Sequence, residues 1–219
     1  MGRKVDLLKT LPHAKRNLES REAQKNMDTV KISKKFGEKY FDGPRTYGYG
    51  GYHYDGRWVS VAHDVIDHFG LKPGDKVLDI GCAKGFLVKD LRDALPGLVV
   101  FGLDISYYAL VNSPADVKGK LCLGTADQLP FPDNAFTAAL ALDSIHNLPR
   151  ERAKIALTEI ERVCDGRAFV RVDSYHNTEQ KEVFESWVLT AEFHDFPSGW
   201  RTLFAEAGYT GDYDWTIIQ

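Results

Sequence analysis

The sequence predicts an open α/β fold, a mostly parallel sheet with helices on both faces, and three observations carry that reading. Short apolar runs, "KVLDIG", "LVVFGLD", "KLCLG", "FTAALALD" and "RAFVRVD", alternate with segments of helical spacing. Strands separated by helices require right-handed crossovers, and these cover a parallel sheet on both faces. The first strand runs into a glycine-containing turn, "DIGCAKG", at the end of a sheet of this kind where ligands bind. A chain of 219 residues with 43% apolar content can bury one such core.

In chain order, residues 1–58 read as a basic, aromatic-rich leader and lid, and residues 59–219 as the α/β domain, with a substrate-side insertion at about 174–200. Residues 1–35 hold ten Lys or Arg against four Asp or Glu, although the whole chain carries −3. The leader is expected to be solvated and partly disordered, with Leu7, Leu8, Leu11 and Leu18 docking weakly. Next comes the turn-rich "YFDGPRTYGYGGYHYDGRW", and then a helix on which Val59, Ala62, Val65, Ile66 and Phe69 recur at helical spacing. After the first strand the pattern gives a helix over Gly85–Leu95, the second strand, a helix around Tyr107–Val111 and two further strands. "ERAKIALTEIERVC" places Ala153, Ile155, Ala156, Ile160 and Val163 on one helical side. A helix in "GWRTLFAEAG" then leads to an edge strand in "YTGDYDWTIIQ", with one member of the terminal strand pair read as antiparallel.

Composition excludes several classes. No run approaches the roughly 20 apolar residues of a membrane helix, and the amino terminus lacks the pattern of a secretory signal. A cytoplasmic protein is expected. Cys82, Cys122 and Cys164 have no ligand spacing, which argues for reduced thiols rather than disulfides or structural zinc. His176, Glu192, His194 and Asp195 resemble metal ligands in composition but not in spacing, so no metal is expected.

The glycine turn has neither the GxGxxG of a dinucleotide loop nor the GxxxxGK of a phosphate-binding loop. Asp79 ends the first strand, where a carboxylate can hold loop amides or accept from an ammonium. Asp104 ends the second, where a carboxylate can take both ribose hydroxyls. Together they suit an unphosphorylated adenosine with a cationic tail.

With "VLDIGCAKGF", "GLDIS", "GTADQLPFPDNAF" and "LALDSIHNL" in this order, the stretch from Lys76 to Val172 resembles class I S-adenosylmethionine-dependent methyltransferases. The resemblance implies a Rossmann-like, mostly parallel seven-stranded sheet with one antiparallel edge strand, and S-adenosyl-L-methionine as cofactor. It places Asp79, Gly81 and Gly85 at the methionine part together with the loop residues Cys82 and Ala83. Asp104, followed by Ile105, falls at the ribose, and Ala126 with Asp127 at the adenine. The chain departs from the family pattern at Ala83, where glycine is usual, and at Thr125, where aspartate is common.

Methyl transfer from a sulfonium is an in-line displacement, so positioning is the main task. After the fourth strand stand Asp143, His146 and Asn147. His146 is either a general base or a packing residue at a helix start. Asp143 either orients the acceptor or bonds the methionine amine. Tyr47, Tyr49 and Tyr52, with Arg45 and Arg57, are expected in a lid over the cofactor, and Tyr175 and Trp187 in a second wall facing the acceptor. The expected reaction is methylation of oxygen or nitrogen on a small metabolite, a sugar or natural-product intermediate, by a monomer or homodimer. Alternatives are cyclisation releasing methylthioadenosine, or methylation of nucleic acid or protein. Nucleic acid is disfavoured because no Asn/Asp-Pro-Pro-Tyr motif follows the fourth strand.

Overall fold

A computed structural model describes residues 2–12 and 17–218. The amino-terminal part forms three short helices, α1 (Leu18–Gln24), α2 (Met27–Ser33) and α3 (Glu38–Phe41), before the long α4 (Val59–Phe69). Then come β1 (Lys76–Ile80), α5 (Phe86–Ala94), β2 (Val99–Asp104), α6 (Tyr107–Val111), β3 (Leu121–Leu123) and β4 (Ala138–Leu142). The chain continues through α7 (Arg150–Cys164), β5 (Ala168–Ser174), α8 (Thr178–Trp187), α9 (Pro197–Glu206) and β6 (Asp212–Ile217). Local chemistry sets the boundaries: Asn17, Asn26, Ser106 and Asn177 cap their helices through side-chain oxygens, and Gly70 ends α4 in the left-handed conformation.

The sheet has six strands in the order β3-β2-β1-β4-β5-β6, and every pairing is parallel. This corrects the expectation of seven strands with an antiparallel edge. The connection from β5 to β6 passes through α8 and α9, a crossover rather than a hairpin, and so returns the chain in the same direction.

Alternation along the strands feeds two cores. Leu78, Ile80, Ala139, Ala141, Val170 and Val172 turn to the face covered by α7 and α9. Val77, Ala138, Leu140 and Phe169 turn to the face covered by α4 and α5. Each fully buried large side chain contributes on the order of 1.5–3 kcal/mol.

Residues 2–8 of the leader are docked rather than solvated. Leu7 and Leu8 are each 4% exposed in the same cluster as Val61 and Val77. Just before them, the Val5 amide donates to the Tyr213 carbonyl at 3.0 Å and the Tyr213 amide to the Arg3 carbonyl at 3.1 Å. Lys4 thereby pairs in parallel with Tyr213 along the outer edge of β6. Among the described residues no helix is long and apolar enough to cross a membrane.

Candidate functional site

The turn after β1 is shaped by three left-handed residues, Gly81 at φ +81°, Ala83 at +50° and Gly85 at +75°. The Gly81 and Cys82 amides both donate to the Leu103 carbonyl, at 2.7 and 3.1 Å, which ties the turn to the end of β2. A Cβ on Gly81 would stand 2.4 Å from that of Ser144, so the turn after β1 and the one after β4 touch only because residue 81 has no side chain. Ala83 takes the strained conformation that glycine tolerates more readily.

Asp104 anchors the result. Its carboxylate accepts the Ala83 and Ser106 amides, each at 2.7 Å. Burial raises its pKa, and these amide contacts only partly offset that. Asp104, Ile105, Ala126, Gly81 and Ala83 line a cavity of about 760 Å³. Phe36, Tyr40, Phe41 and Tyr49 close it from the amino-terminal part. The cover is latched: Lys84 in the turn reaches both carboxylate oxygens of Asp42 at 2.7 Å and the Tyr52 carbonyl at 2.9 Å, while the Tyr108 hydroxyl donates to Asp42 at 2.8 Å.

Two further cavities adjoin. One, of about 800 Å³, is lined by Asp79, Cys82, Arg57 and Trp58. Burial, and then the Asp104 charge, pushes the Asp79 carboxyl up to about 7. The other, of about 1460 Å³, is lined by Arg21, Arg45, Tyr52, Asp173, Trp187 and Thr216 among others. Tyr49 and Asp143 line all three cavities and so mark their junction. Asp143 sits at φ +52° and accepts from the Thr216 hydroxyl at 2.6 Å, with Arg171 at 3.7 Å. Asn147 lines the first and the largest cavity, and its buried Oδ1 has no hydrogen-bond partner.

Several expected site residues are placed elsewhere. Asp127 does not line the first cavity; it accepts from Arg152 and Thr125, contacts that hold its pKa down against burial. Tyr47 lies under the Lys39 ammonium, 5.6 Å from its ring centroid, and lines none of the three cavities. Tyr175 is 3% exposed, bonds His194 Nδ1 at 3.1 Å and packs on Phe184 and Phe196. Gly85 serves as the left-handed lead into α5. His146 lines the largest cavity but spends both ring nitrogens on Asp173: Nδ1 accepts its amide at 3.1 Å and Nε2 lies 3.2 Å from its carboxylate. That network assigns the ring hydrogen to Nε2 and leaves no nitrogen to take an acceptor's proton.

Sequence reasoning missed Arg21, Phe36, Asp173 and Thr216. Asp173 lies near the carboxyl end of its strand, as Asp79 and Asp104 do, and that rule would have found it. Arg21 and Thr216 carried no signal, since only the folded chain brings them to the cavity wall.

Residues 78–170 match the family model described as a methyltransferase domain. That stretch is a methyltransferase domain of the S-adenosylmethionine-dependent kind. Two relatives of the chain are a demethylmenaquinone methyltransferase of Symbiobacterium thermophilum and a sterol 24-C-methyltransferase of Gibberella zeae. The first is 34% identical over 119 residues, covering 49% of this chain and 45% of the relative. The second is 32% identical over 108 residues, covering 46% and 28%. The chain thus spans less than half the length of either relative. Among solved structures, the Haloferax volcanii complex between the Trm112 methyltransferase activator and its methyltransferase gives a TM-score of 0.56 at 22% identity, covering 69% of this chain and 67% of that one. It shares the Rossmann-like fold.

Proposed function

We propose that this methyltransferase moves a methyl group from S-adenosylmethionine to an oxygen or nitrogen of a small metabolite. The observation that carries the reading is the meeting of cavities at Asp143: one ends at the Asp104 carboxylate, and a larger one opens beyond. The chain's residues fit the cofactor. Asp104 offers a buried carboxylate to the ribose hydroxyls, Ile105 and Ala126 wall the adenine, and Gly81 with Ala83 keeps the backbone close. Asp79, beside Arg57 and Cys82 in the adjoining cavity, suits an ammonium with a carboxylate next to it. When bound, S-adenosylmethionine supplies a methyl group made electrophilic by its sulfonium.

Asp143, at the junction with its side chain 40% exposed, takes the proton of an acceptor O–H or N–H. Asn147 orients the acceptor through its unpartnered Oδ1, and Tyr49 and Tyr52 exclude water. His146 acts as a positioning residue that fixes Asp173. The test is incubation with methyl-labelled S-adenosylmethionine and a metabolite extract. Label in an extract compound together with S-adenosylhomocysteine supports the reading; methylthioadenosine as the product, or no binding of the cofactor, overturns it.

A further inference from the structure

The junction of the three cavities fixes more than the path of the acceptor. The S-adenosylmethionine sulfonium joins three carbon groups: the adenosyl group, the aminoacyl chain and the methyl group. The cavity of Asp104 suits the first, the cavity of Asp79 suits the second, and the largest one admits the acceptor that meets the third. Among the described residues, only Tyr49 and Asp143 line all three. A centre that links the three groups therefore lies against these two side chains.

Tyr49 turns one ring face to that point. Its ring stacks on Phe41 with centroids 5.7 Å apart, and meets Tyr52 at 4.4 Å and Tyr40 at 5.2 Å. Phe41 in turn lies 5.9 Å from Tyr52 and 5.1 Å from Tyr40, far closer than rings on opposite faces of Tyr49 would be. All three neighbours thus crowd one side and leave the other open, and Tyr49 is 41% exposed although it stands in the cover. Backbone bonds hold this pose: the Tyr49 amide donates to the Tyr40 carbonyl at 2.9 Å, and its carbonyl accepts from Arg45 at 3.1 Å. The exposed surface belongs to the ring, while the hydroxyl end is enclosed. There the Tyr40 hydroxyl, burial, and then Tyr52, Asp143 and Asp104 push the Tyr49 pKa well above the ordinary 10. With Asp143 and Asp104 among those neighbours, the junction favours positive charge, and a ring face attracts a cation placed over it. Arg57, which lines two of the cavities, does not oppose this, because Asp55 pairs with it at 2.6–2.9 Å.

We propose that Tyr49 presents the open face of its ring to the sulfonium of S-adenosylmethionine and so makes the protein discriminate the charged methyl donor from the neutral spent product. This rests on the methyltransferase reading of the same site and adds a residue that senses the charge of the cofactor. S-adenosylhomocysteine has the same adenosyl and aminoacyl groups but no positive sulfur, so it forgoes this contact and leaves more readily. Asp143 favours the cation too, and the test therefore alters the ring and keeps the carboxylate.

The test titrates the full chain in a calorimeter with three ligands: S-adenosylmethionine, the amine analogue sinefungin, which carries an ammonium near the same centre, and S-adenosylhomocysteine. The readout is the preference for each cation over S-adenosylhomocysteine, a ratio in which a general loosening of the cover cancels. Tyr49→Leu should lower both preferences about fivefold or more, whereas Tyr49→Phe, which keeps the ring face, should stay within about twofold of wild type. Tyr49→pentafluorophenylalanine keeps the size of the ring and withdraws its electron density, so it should behave as Tyr49→Leu does; compared with Tyr49→Phe it decides the matter even where Tyr49→Leu fails to fold. Preferences that stay unchanged in the leucine and fluorinated variants, or that fall as far in Tyr49→Phe, overturn the proposal. Binding of all three ligands with an invariant ratio would sink this inference and spare the methyltransferase reading, whereas a wild-type protein that binds none of them would sink both.

Discussion

Lys84 holds its ammonium 2.7 Å from each carboxylate oxygen of Asp42, joining the glycine turn to a segment 42 residues earlier in the chain. Lys84 is only 5% exposed, so breaking the pair strands a charge in a poorly hydrated place. Lys84→Met should cost about 1–3 kcal/mol and raise the cofactor dissociation rate, read by chemical denaturation and stopped-flow fluorescence. Burial pushes the Asp42 carboxyl up, and the contacts from Lys84, Tyr108 and the Tyr52 amide outweigh it, leaving its pKa below the ordinary 3.8. The latch therefore contributes fully above that value and is lost as pH falls below it. A Lys84→Met protein as stable as wild type at pH 7 would show that the pair contributes nothing.

Asp104 accepts two backbone amides and at once lines the cavity proposed to hold the cofactor. Asp104→Ala should abolish calorimetric binding of S-adenosylhomocysteine and lower the melting temperature, because the Ala83 and Ser106 amides lose their acceptor. Asp104→Asn keeps one acceptor oxygen and should fall between the two. Unchanged affinity in Asp104→Ala would remove the ribose assignment.

Asp79 makes binding and protonation interdependent. Its carboxyl, raised to about 7, is largely protonated in the folded protein at pH 6, whereas the unfolded chain has it ionised above 3.8. Its contribution to stability is whole below 3.8 and declines as pH rises through about 7. An ammonium brought beside it favours the charged form, so cofactor binding at pH 6 should release up to one proton. Calorimetry in buffers of different ionisation enthalpy reads that number, and a value of zero would separate Asp79 from the ligand. Asp79→Asn should stabilise the ligand-free protein above pH 7 while weakening the cofactor.

Asp143 sits in the left-handed region, which asparagine also tolerates. Asp143→Asn should therefore fold with an unchanged melting temperature and still accept from Thr216, yet lower kcat at least tenfold through loss of the proton acceptor. An undiminished kcat would move that role elsewhere in the cavity.

The strands and the helices α4, α5, α7 and α9 were legible because apolar alternation and turn residues act locally, and helix Tyr107–Val111 falls where the spacing placed it, whereas α8 was read only as part of an insertion. The direction of β6 was not legible, since it depends on whether α8 and α9 return the chain to the same end of the sheet. In the site, Asp104 was readable from its position at the end of the second strand, and Gly81, Ile105 and Ala126 from the family resemblance, and the structure brings the four to one cavity. Asp127 and Tyr175 were not, because the partners that claim them, Arg152 and His194, are 25 and 19 residues away in sequence. His146 shows the same limit: a histidine after the fourth strand looks reactive until the amide and carboxylate of Asp173 are found on its two nitrogens.

The pairing of Arg3 and Val5 with Tyr213 also ties the docking of Leu7 and Leu8 to the outer edge of the sheet. Arg3 and Val5 have no strand to pair with until β6 lies in register on β5. Closure of this edge joins segments far apart in sequence, which makes it a slow, late step of folding.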